Sequence, residues 1–381
     1  MIAVEGLLDA FINANILFVL CYLLWFAVRA VLRGLGLSHT YGTQLRLLNV
    51  AFIAIVCSPI ISLVFRSMQT SGYARGVNVN LSDAVVAYYL NGGFQMEASK
   101  FETLVLMRDQ FTLNLLNADG LGAQALLVIL ALGSALGVLR LFMSVLSLRC
   151  IVRSSYAWRD FGRVQLRVSD RTLVPFSTRG WRTYFVVIPS HMLGNGREVS
   201  VALAHEFQHI RQGDLEWEIL LEALKPIFFL NPAYRAWKSQ VEHLRELNCD
   251  REVLSQGRIE VKAYCETLLS VCQQSLRKDR AFSLAVPKVT LVTADRFSLV
   301  DWNRGFLERR IHSALDGKRT RYQRLLFAAI AVPLLVAIAF ATLAIQRPGD
   351  WSHDRLMLST VVNLDRLDKI NRLSTFGRLP N

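Results

Sequence analysis

The chain has 381 residues, of which 52% are hydrophobic and only 19% are charged, with a net charge of +13 and a mean hydropathy of +0.32. Because soluble domains average about a quarter charged residues, this composition excludes an ordinary soluble protein and predicts a membrane protein. No interleaving of aromatic and basic residues accompanies the positive charge. We therefore expect the basic residues to contact the lipid bilayer and expect no direct nucleic-acid binding.

Four apolar segments are long enough to cross about 30 Å of hydrocarbon. They lie near residues 12–32, 47–65, 122–146 and 325–345. The first follows Glu5 and Asp9 and lacks a basic leading region, so it is predicted to be an anchor and not a signal peptide. The sequence therefore predicts a mainly α integral membrane protein with four transmembrane helices.

Lysine and arginine predict the orientation of these spans. Arg149 and Arg153 begin the long segment between the third and fourth spans, and Lys318 and Arg319 lie near its end. Residues 68–120 contain few basic residues. By the positive-inside rule, the long segment faces the cytoplasm and residues 68–120 lie outside. We expect a multi-pass protein of a bacterial-type inner (cytoplasmic) membrane.

The long segment contains an H-E-x-x-H motif, His205-Glu206-Phe207-Gln208-His209. On a helix its two histidines lie one turn apart on the same face, so both imidazoles can bind a single Zn²⁺. Glu206 lies beside the first histidine, where it can take a proton from zinc-bound water. The motif predicts His205 and His209 as metal ligands and Glu206 as the catalytic general base.

A third metal ligand is expected on a later helix that begins at the break Asn231-Pro232. Glu242, Glu246 and Asp250 follow at four-residue spacing on one face of this helix. We predict Glu246 as the ligand and Asp250 as the acceptor of a hydrogen bond from a ligand histidine. The alternative is a solvated acidic stripe, paired with the basic residues Lys238, Arg245 and Arg251.

Residues 164–168, which alternate apolar and polar, and the apolar residues 183–188 are predicted strands, which makes the cytoplasmic domain α+β. Substrate backbone is expected to pair with an edge strand, for which residues 183–188 are the first choice. His243 and Tyr264 are the candidates for stabilising the oxyanion.

Taken together, these motifs resemble the BlaR/MecR-type integral-membrane zinc metallopeptidases, which include antirepressor and sensor-transducer peptidases. The shared patterns are H-E-x-x-H at His205–His209, N-P-x-x-x-x-W at Asn231–Trp237 and E-L-x-C-D at Glu246–Asp250. The resemblance implies a gluzincin-like site with the ligands and general base named above. The antibiotic sensors carry a penicillin-binding domain with S-x-x-K after the last span. No S-x-x-K occurs in residues 346–381, so we expect that domain to be lacking.

The expected function is a zinc-dependent endopeptidase in the membrane, which cleaves a cytoplasmic or membrane-proximal protein such as a repressor or regulator. The resemblance also implies self-processing in the basic linker before the last span, with Arg309 and Arg310 as the self-cleavage region. A membrane-protein quality-control peptidase of the HtpX or CAAX-endopeptidase type is an alternative. A non-catalytic receptor or scaffold is another, and a DNA-binding transmembrane regulator is the weakest.

Six segments make up the predicted organisation. They are two N-terminal transmembrane helices with a short cytoplasmic loop (1–66), an extracytoplasmic loop (67–120), a third transmembrane helix (121–146), a cytoplasmic zinc metallopeptidase domain (147–324), a fourth transmembrane helix (325–346) and an extracytoplasmic C-terminal tail (347–381).

Overall fold

The computed structural model describes residues 2–73, 80–93, 95–277, 289–290, 300–316, 323–346 and 353–373. Lys318 and Arg319, on which the predicted orientation partly rests, lie outside the described residues. The chain divides into two compact units. The first, here called the helical unit, comprises Met1–Leu24, Asn49–Leu130 and Ala328–Asn381, and the second, the sheet unit, comprises Trp25–Leu48 and Ala131–Phe327.

Helices dominate the described residues, and the strands belong to the sheet unit. The helices are α1 (Ile2–Gly34), α2 (Tyr41–Val56), α3 (Ser58–Thr70), α4 (Leu81–Leu90), α5 (Ala98–Leu116), α6 (Gly120–Ser154), α7 (Gly196–Gln212), α8 (Asp214–Leu224), α9 (Pro232–Ser255), α10 (Val261–Arg277), α11 (Val300–Asp316), α12 (Gln323–Ala344) and α13 (His353–Leu373). The strands are β1 (Tyr156–Phe161), β2 (Val164–Ser169), β3 (Phe176–Arg179), β4 (Tyr184–Pro189) and β5 (Val289–Thr290).

Among the described residues, three helices, α1, α6 and α12, are long and apolar enough to cross a membrane. The fourth predicted span corresponds to α2 and α3, which meet at an angle of 54°. Pro59 lies in the first turn of α3, where its missing N–H prevents α2 from continuing as one regular helix. The prediction of a mainly α membrane protein is confirmed, whereas a count of four spans requires α2 and α3 to cross together.

The helical unit contains helices where the sequence predicted an outer loop and a tail. Helices α4 and α5 lie within residues 67–120, and α13 lies within residues 347–381. Val86 and Phe101 form a buried cluster with Leu358 and Val362 of α13. Because these partners are more than 250 residues apart in sequence, local periodicity gives little indication of the packing that stabilises them.

The sheet has the strand order β1-β2-β4-β3-β5. Strand β2 pairs parallel with β4, and the other neighbouring strands pair antiparallel. Both predicted strands therefore exist, as β2 and β4. The prediction that residues 183–188 form an edge strand is wrong, because β4 has β2 on one side and β3 on the other.

Strand β4 is central because both of its faces are apolar. Val186 and Ile188 pack into a buried cluster with α7 and α10, while Val187 points to the opposite face and packs with Phe176 and the end of α6. Side chains alternate between the faces of a strand, so a continuous apolar run is typical of a strand covered on both sides. This arrangement places α7 directly on one face of the sheet.

Helices α8 and α9 are joined by a buried ionic cluster around Lys238. Its ammonium group lies 3.1 Å from Glu218 and 2.9 Å from Glu222, and it also contacts Glu242. Arg245 pairs with Glu218 at 2.7 Å. Burial alone would raise the pKa of Glu218, but the positive charges of Lys238 and Arg245 lower it to about 2.

We expect Lys238→Met to destabilise the sheet unit by about 3–5 kcal/mol, because it leaves buried carboxylates without their shared cation. Lys225→Met is the matched control. Lys225 lies 3.5 Å from Glu222, but 46% of its side chain is exposed, so its loss should change stability by at most about 1 kcal/mol. Thermal unfolding of the purified chain measures both effects. Equal melting temperatures for the two variants would contradict the importance of the buried cluster.

Candidate metal centre

Two buried histidines face each other on α7. His205 and His209 are both fully buried, and their Nε2 atoms lie 3.0 Å apart. The rings are nearly perpendicular, with centroids separated by 4.6 Å. Asn195 caps the start of the helix, and its side chain accepts a hydrogen bond from the N–H of Arg197. The i and i+4 spacing thus brings two imidazole nitrogens to one point, as the sequence predicted.

The other edge of His209 is fixed by Asp214. Gly213 directly follows helix α7 and has φ = +74°, a conformation that strains residues with a side chain. The turn at Gly213 places Asp214 next to α7, where Oδ2 of Asp214 lies 2.7 Å from Nδ1 of His209. The carboxylate accepts the Nδ1 proton, so the Nε2 of His209 carries a lone pair. Asp214 was not among the predicted site residues.

His205 is oriented by Tyr264 and Asp250. The hydroxyl of Tyr264 donates to Asp250 and lies 2.9 Å from Nδ1 of His205. Because that hydroxyl proton goes to Asp250, Nδ1 of His205 must be the donor to the tyrosine oxygen. The Nε2 of His205 therefore also carries a lone pair. Two lone pairs that face each other at 3.0 Å fit a bound cation far better than a hydrogen bond.

Glu246, on α9, supplies a third donor to the same point. Its Oε2 lies 3.4 Å from Nε2 of His205, and its Oε1 lies 3.7 Å from Nε2 of His209. Burial alone would raise the pKa of Glu246. The positive charge of Arg310 and the contacts of Glu246 with His205 and His209 lower this pKa to about 2. The carboxylate is thus anionic. Two nitrogens and one carboxylate are a donor set that suits Zn²⁺.

Cys249 is a competing third donor, because His205, His209 and Cys249 also form a group that could hold a metal ion. The thiol lies 3.6 Å from Nδ1 of His205, and it donates to the backbone carbonyl of His205. Burial, assisted by nearby carboxylates, raises the pKa of Cys249 well above its usual value. A neutral thiol at the Nδ1 edge is a poorer ligand than a carboxylate at the Nε2 edge. We therefore expect Glu246 to be the ligand.

Glu206 is buried and close to this centre. Burial raises its pKa to about 7, the charge of Glu246 adds to the rise, and His209 and Ser177 oppose it. Although Ser177 is close enough to affect the pKa, neither its hydroxyl nor either oxygen of Glu206 meets hydrogen-bond geometry within the described part of the chain. A carboxyl group whose pKa is near 7 can both accept and donate a proton at neutral pH.

The remaining predicted residues lie in different environments. Tyr264 contacts the Nδ1 edge of His205, so it orients an imidazole and does not face the converging Nε2 atoms. The ring of His243 packs against Phe306, with centroids 4.4 Å apart. The alternative of a solvated acidic stripe is wrong, because Glu246 and Asp250 are only 2% and 1% exposed.

The predicted self-cleavage residues Arg309 and Arg310 lie within α11. Arg309 is exposed, whereas Arg310 is buried and its guanidinium binds Asp250 through two nitrogens. Self-cleavage at these residues stays a prediction. The contact itself was missed, because a basic residue near a membrane span is usually a positive-inside flank.

Comparison with protein families shows the family to which the chain belongs. A family model described as BlaR1 peptidase M56 matches residues 7–296, a range that contains the facing histidines, Glu206 and Glu246. The chain belongs to the BlaR1 peptidase M56 family. Membership confirms the BlaR/MecR-type resemblance and favours it over the HtpX or CAAX-endopeptidase alternative. It also indicates a membrane-associated peptidase, and so argues against a non-catalytic scaffold. No curated protein matches the chain.

Metal analysis of single variants distinguishes the two possible third ligands of this BlaR1 peptidase M56 centre. We expect about one Zn²⁺ per wild-type chain, a sharp loss of metal in Glu246→Gln, and full metal in Cys249→Ser. Glu242→Gln is the control, because Glu242 lies on the same helix but contacts Lys238. Elemental analysis after dialysis measures the content. Full metal content in Glu246→Gln together with loss of metal in Cys249→Ser would show that Cys249 is the third ligand.

Proposed function

We propose that this protein is a zinc-dependent endopeptidase of the membrane, which cuts a cytoplasmic or membrane-proximal protein in regulatory signalling. A repressor or another regulator is the expected class of substrate. Family membership supports the peptidase activity. The zinc assignment rests on one observation. The Nε2 atoms of His205 and His209 converge with the carboxylate of Glu246, beside the buried Glu206.

The three donors His205, His209 and Glu246 would hold the zinc ion. When bound, zinc supplies a Lewis acid that polarises a carbonyl group and makes water more acidic. Glu206 takes a proton from the attacking water and delivers it to the nitrogen of the leaving amine. Its pKa of about 7 suits both steps. Asp214 and Tyr264 keep the imidazoles in the tautomers that leave Nε2 free to bind.

Strand β3 is the best candidate for holding the substrate backbone. It is the last long strand on its side of the sheet, and among the described residues its outer edge pairs only with the two-residue strand β5. Ser177 of β3 pairs with Val289, and Phe176 pairs with Thr290. Because Ser177 also influences the pKa of Glu206, an extended peptide on this edge would pass close to the general base.

The chain's own β5 occupies this edge, which supports the proposal of self-processing. The backbone of Val289 and Thr290 is extended and paired, as a substrate needs to be. Arg309 and Arg310 are less suitable, because they belong to a helix in which Arg310 is buried. We therefore place the proposed self-cleavage region near residues 289–290 and regard Arg309–Arg310 as the second choice.

Glu206→Gln tests the proposed activity apart from metal binding. Glutamine has the same size but cannot accept the proton, so we expect normal metal content and a loss of peptidase activity by several orders of magnitude. Glu198→Gln, on the same helix in its first turn, is the control and should remain active. The assay is comparative proteomics of membranes and cytosol from the two variants and wild type. Unchanged cleavage of a matched substrate by Glu206→Gln would refute the general-base role.

The proposed location is a bacterial-type inner membrane with the metal centre facing the cytoplasm, and reporter fusions test this orientation. A reporter active only in the cytoplasm should work when fused after Arg280 and fail when fused after Leu81 or Asn381, because basic residues flank the segment that stays inside. Activity at Leu81 would reverse the orientation. Activity at Asn381 alone would remove one span from the proposed topology.

A further inference from the structure

A buried arginine reaches the metal centre from beyond the range of the family match. The family match ends at residue 296, whereas Arg310 lies in the middle of α11. Only 2% of Arg310 is exposed. Burial of a guanidinium group is unfavourable unless anions and hydrogen bonds compensate it, so its surroundings indicate what it does.

Arg310 contacts two acidic residues of the centre at once. Its Nε lies 2.7 Å from Oδ2 of Asp250, and its Nη2 lies 2.6 Å from Oδ1. This two-nitrogen arrangement fixes the plane of the carboxylate. Its Nη1 lies 3.3 Å from Oε2 of Glu246, the oxygen that approaches His205. The Nη1 contact lacks hydrogen-bond geometry, so it acts on Glu246 through charge.

Through these contacts, one side chain influences two of the three donors. Asp250 accepts a hydrogen bond from the hydroxyl of Tyr264, and this hydroxyl contacts Nδ1 of His205. The orientation of His205 therefore depends on Asp250, and that of Asp250 on Arg310. Glu246 is held directly. Without Arg310, the two carboxylates would repel each other inside a buried site and would have no fixed spacing.

Helix α11 is packed so that it presents Arg310 inward. Leu307 and Ile311 pack against the main apolar cluster of the sheet unit, and Phe306 contacts His243. Arg309, by contrast, is exposed. The apolar positions lie at helical spacing around Arg310. The packing of α11 therefore also fixes the position of the Arg310 guanidinium.

We propose that Arg310 is a positioning residue, which holds Glu246 and Asp250 in the arrangement that binds the metal. It acts through these two residues and does not touch the substrate. Helix α11, which directly precedes the apolar helix α12 in sequence, thereby becomes a necessary part of the metal centre. The inference rests on the proposed function, because it concerns the same metal ion.

Arg310→Met and Arg309→Met are the matched pair for testing this role. Both remove one positive charge from neighbouring positions of α11, but only the first removes a contact with the centre. With the full-length chain in detergent, we expect Zn²⁺ affinity, measured by competition with a chelator, to fall about 10–100-fold in Arg310→Met. Affinity in Arg309→Met should stay within about twofold of wild type. Equal affinity of the two variants would overturn the proposal.

Arg310→Lys covers the case in which Arg310→Met fails to fold. Lysine keeps the charge but cannot bind Asp250 through two nitrogens, so we expect a folded protein with weaker Zn²⁺ binding than wild type. Its Co²⁺ complex should show a visible spectrum altered from that of wild type. A folded Arg310→Lys variant with wild-type affinity and spectrum would show that the arginine only neutralises charge, and would overturn the positioning role.

Failure of the proposed function has a different signature. If wild-type protein binds neither Zn²⁺ nor Co²⁺, the zinc peptidase proposal itself fails. If wild type binds metal and Glu206→Gln lacks activity, while the Arg310 variants bind metal as tightly as wild type, only the positioning role fails.

Discussion

The two Nε2 atoms of His205 and His209, held 3.0 Å apart, are the constraint on which the rest of the sheet unit depends. Each imidazole donates its Nδ1 proton to a buried partner, so neither can relieve the contact by rotating or by changing tautomer. Three carboxyl groups contact the imidazoles, those of Glu246, Asp250 and Asp214, and Arg310 contacts two of the three. Acidic side chains around two converging imidazole nitrogens favour a cation, as the donor geometry does.

The fold was predictable where hydrophobic pattern is local. The long apolar helices and the helix that starts at Asn231-Pro232 follow from length, periodicity and capping. The edge assignment of β4 failed although its sequence, Tyr-Phe-Val-Val-Ile, is apolar at consecutive positions and so is typical of a strand covered on both faces. Helices α4, α5 and α13 were missed because their shared core joins parts of the chain that are far apart in sequence.

The site was predictable where one helix carries several of its residues. His205, Glu206 and His209 share α7, and Glu246 and Asp250 share a face of α9, so spacing alone brings each group together. Asp214 was missed because its approach depends on the left-handed backbone of Gly213 and not on helical spacing. Arg310 was named only as part of a self-cleavage region. Its contact with Asp250 was missed because the two residues are 60 positions apart in sequence. Contacts that cross between elements leave no periodic signal.

Because α11 follows Glu246 at a distance in the chain, cleavage between them would make the metal centre depend on the concentration of two fragments. Residues 278–299 separate α10 from α11, so a cut there would leave Arg310 on one polypeptide and Glu246 on another. The first fragment would keep α6 and the second α12, both of which are long and apolar enough to cross a membrane, and the two would share the centre only by non-covalent packing. Metal occupancy would then vary with the number of fragments per area of membrane and with their lateral diffusion. Dilution within the lipid, without any further chemistry, would be enough to dismantle the site.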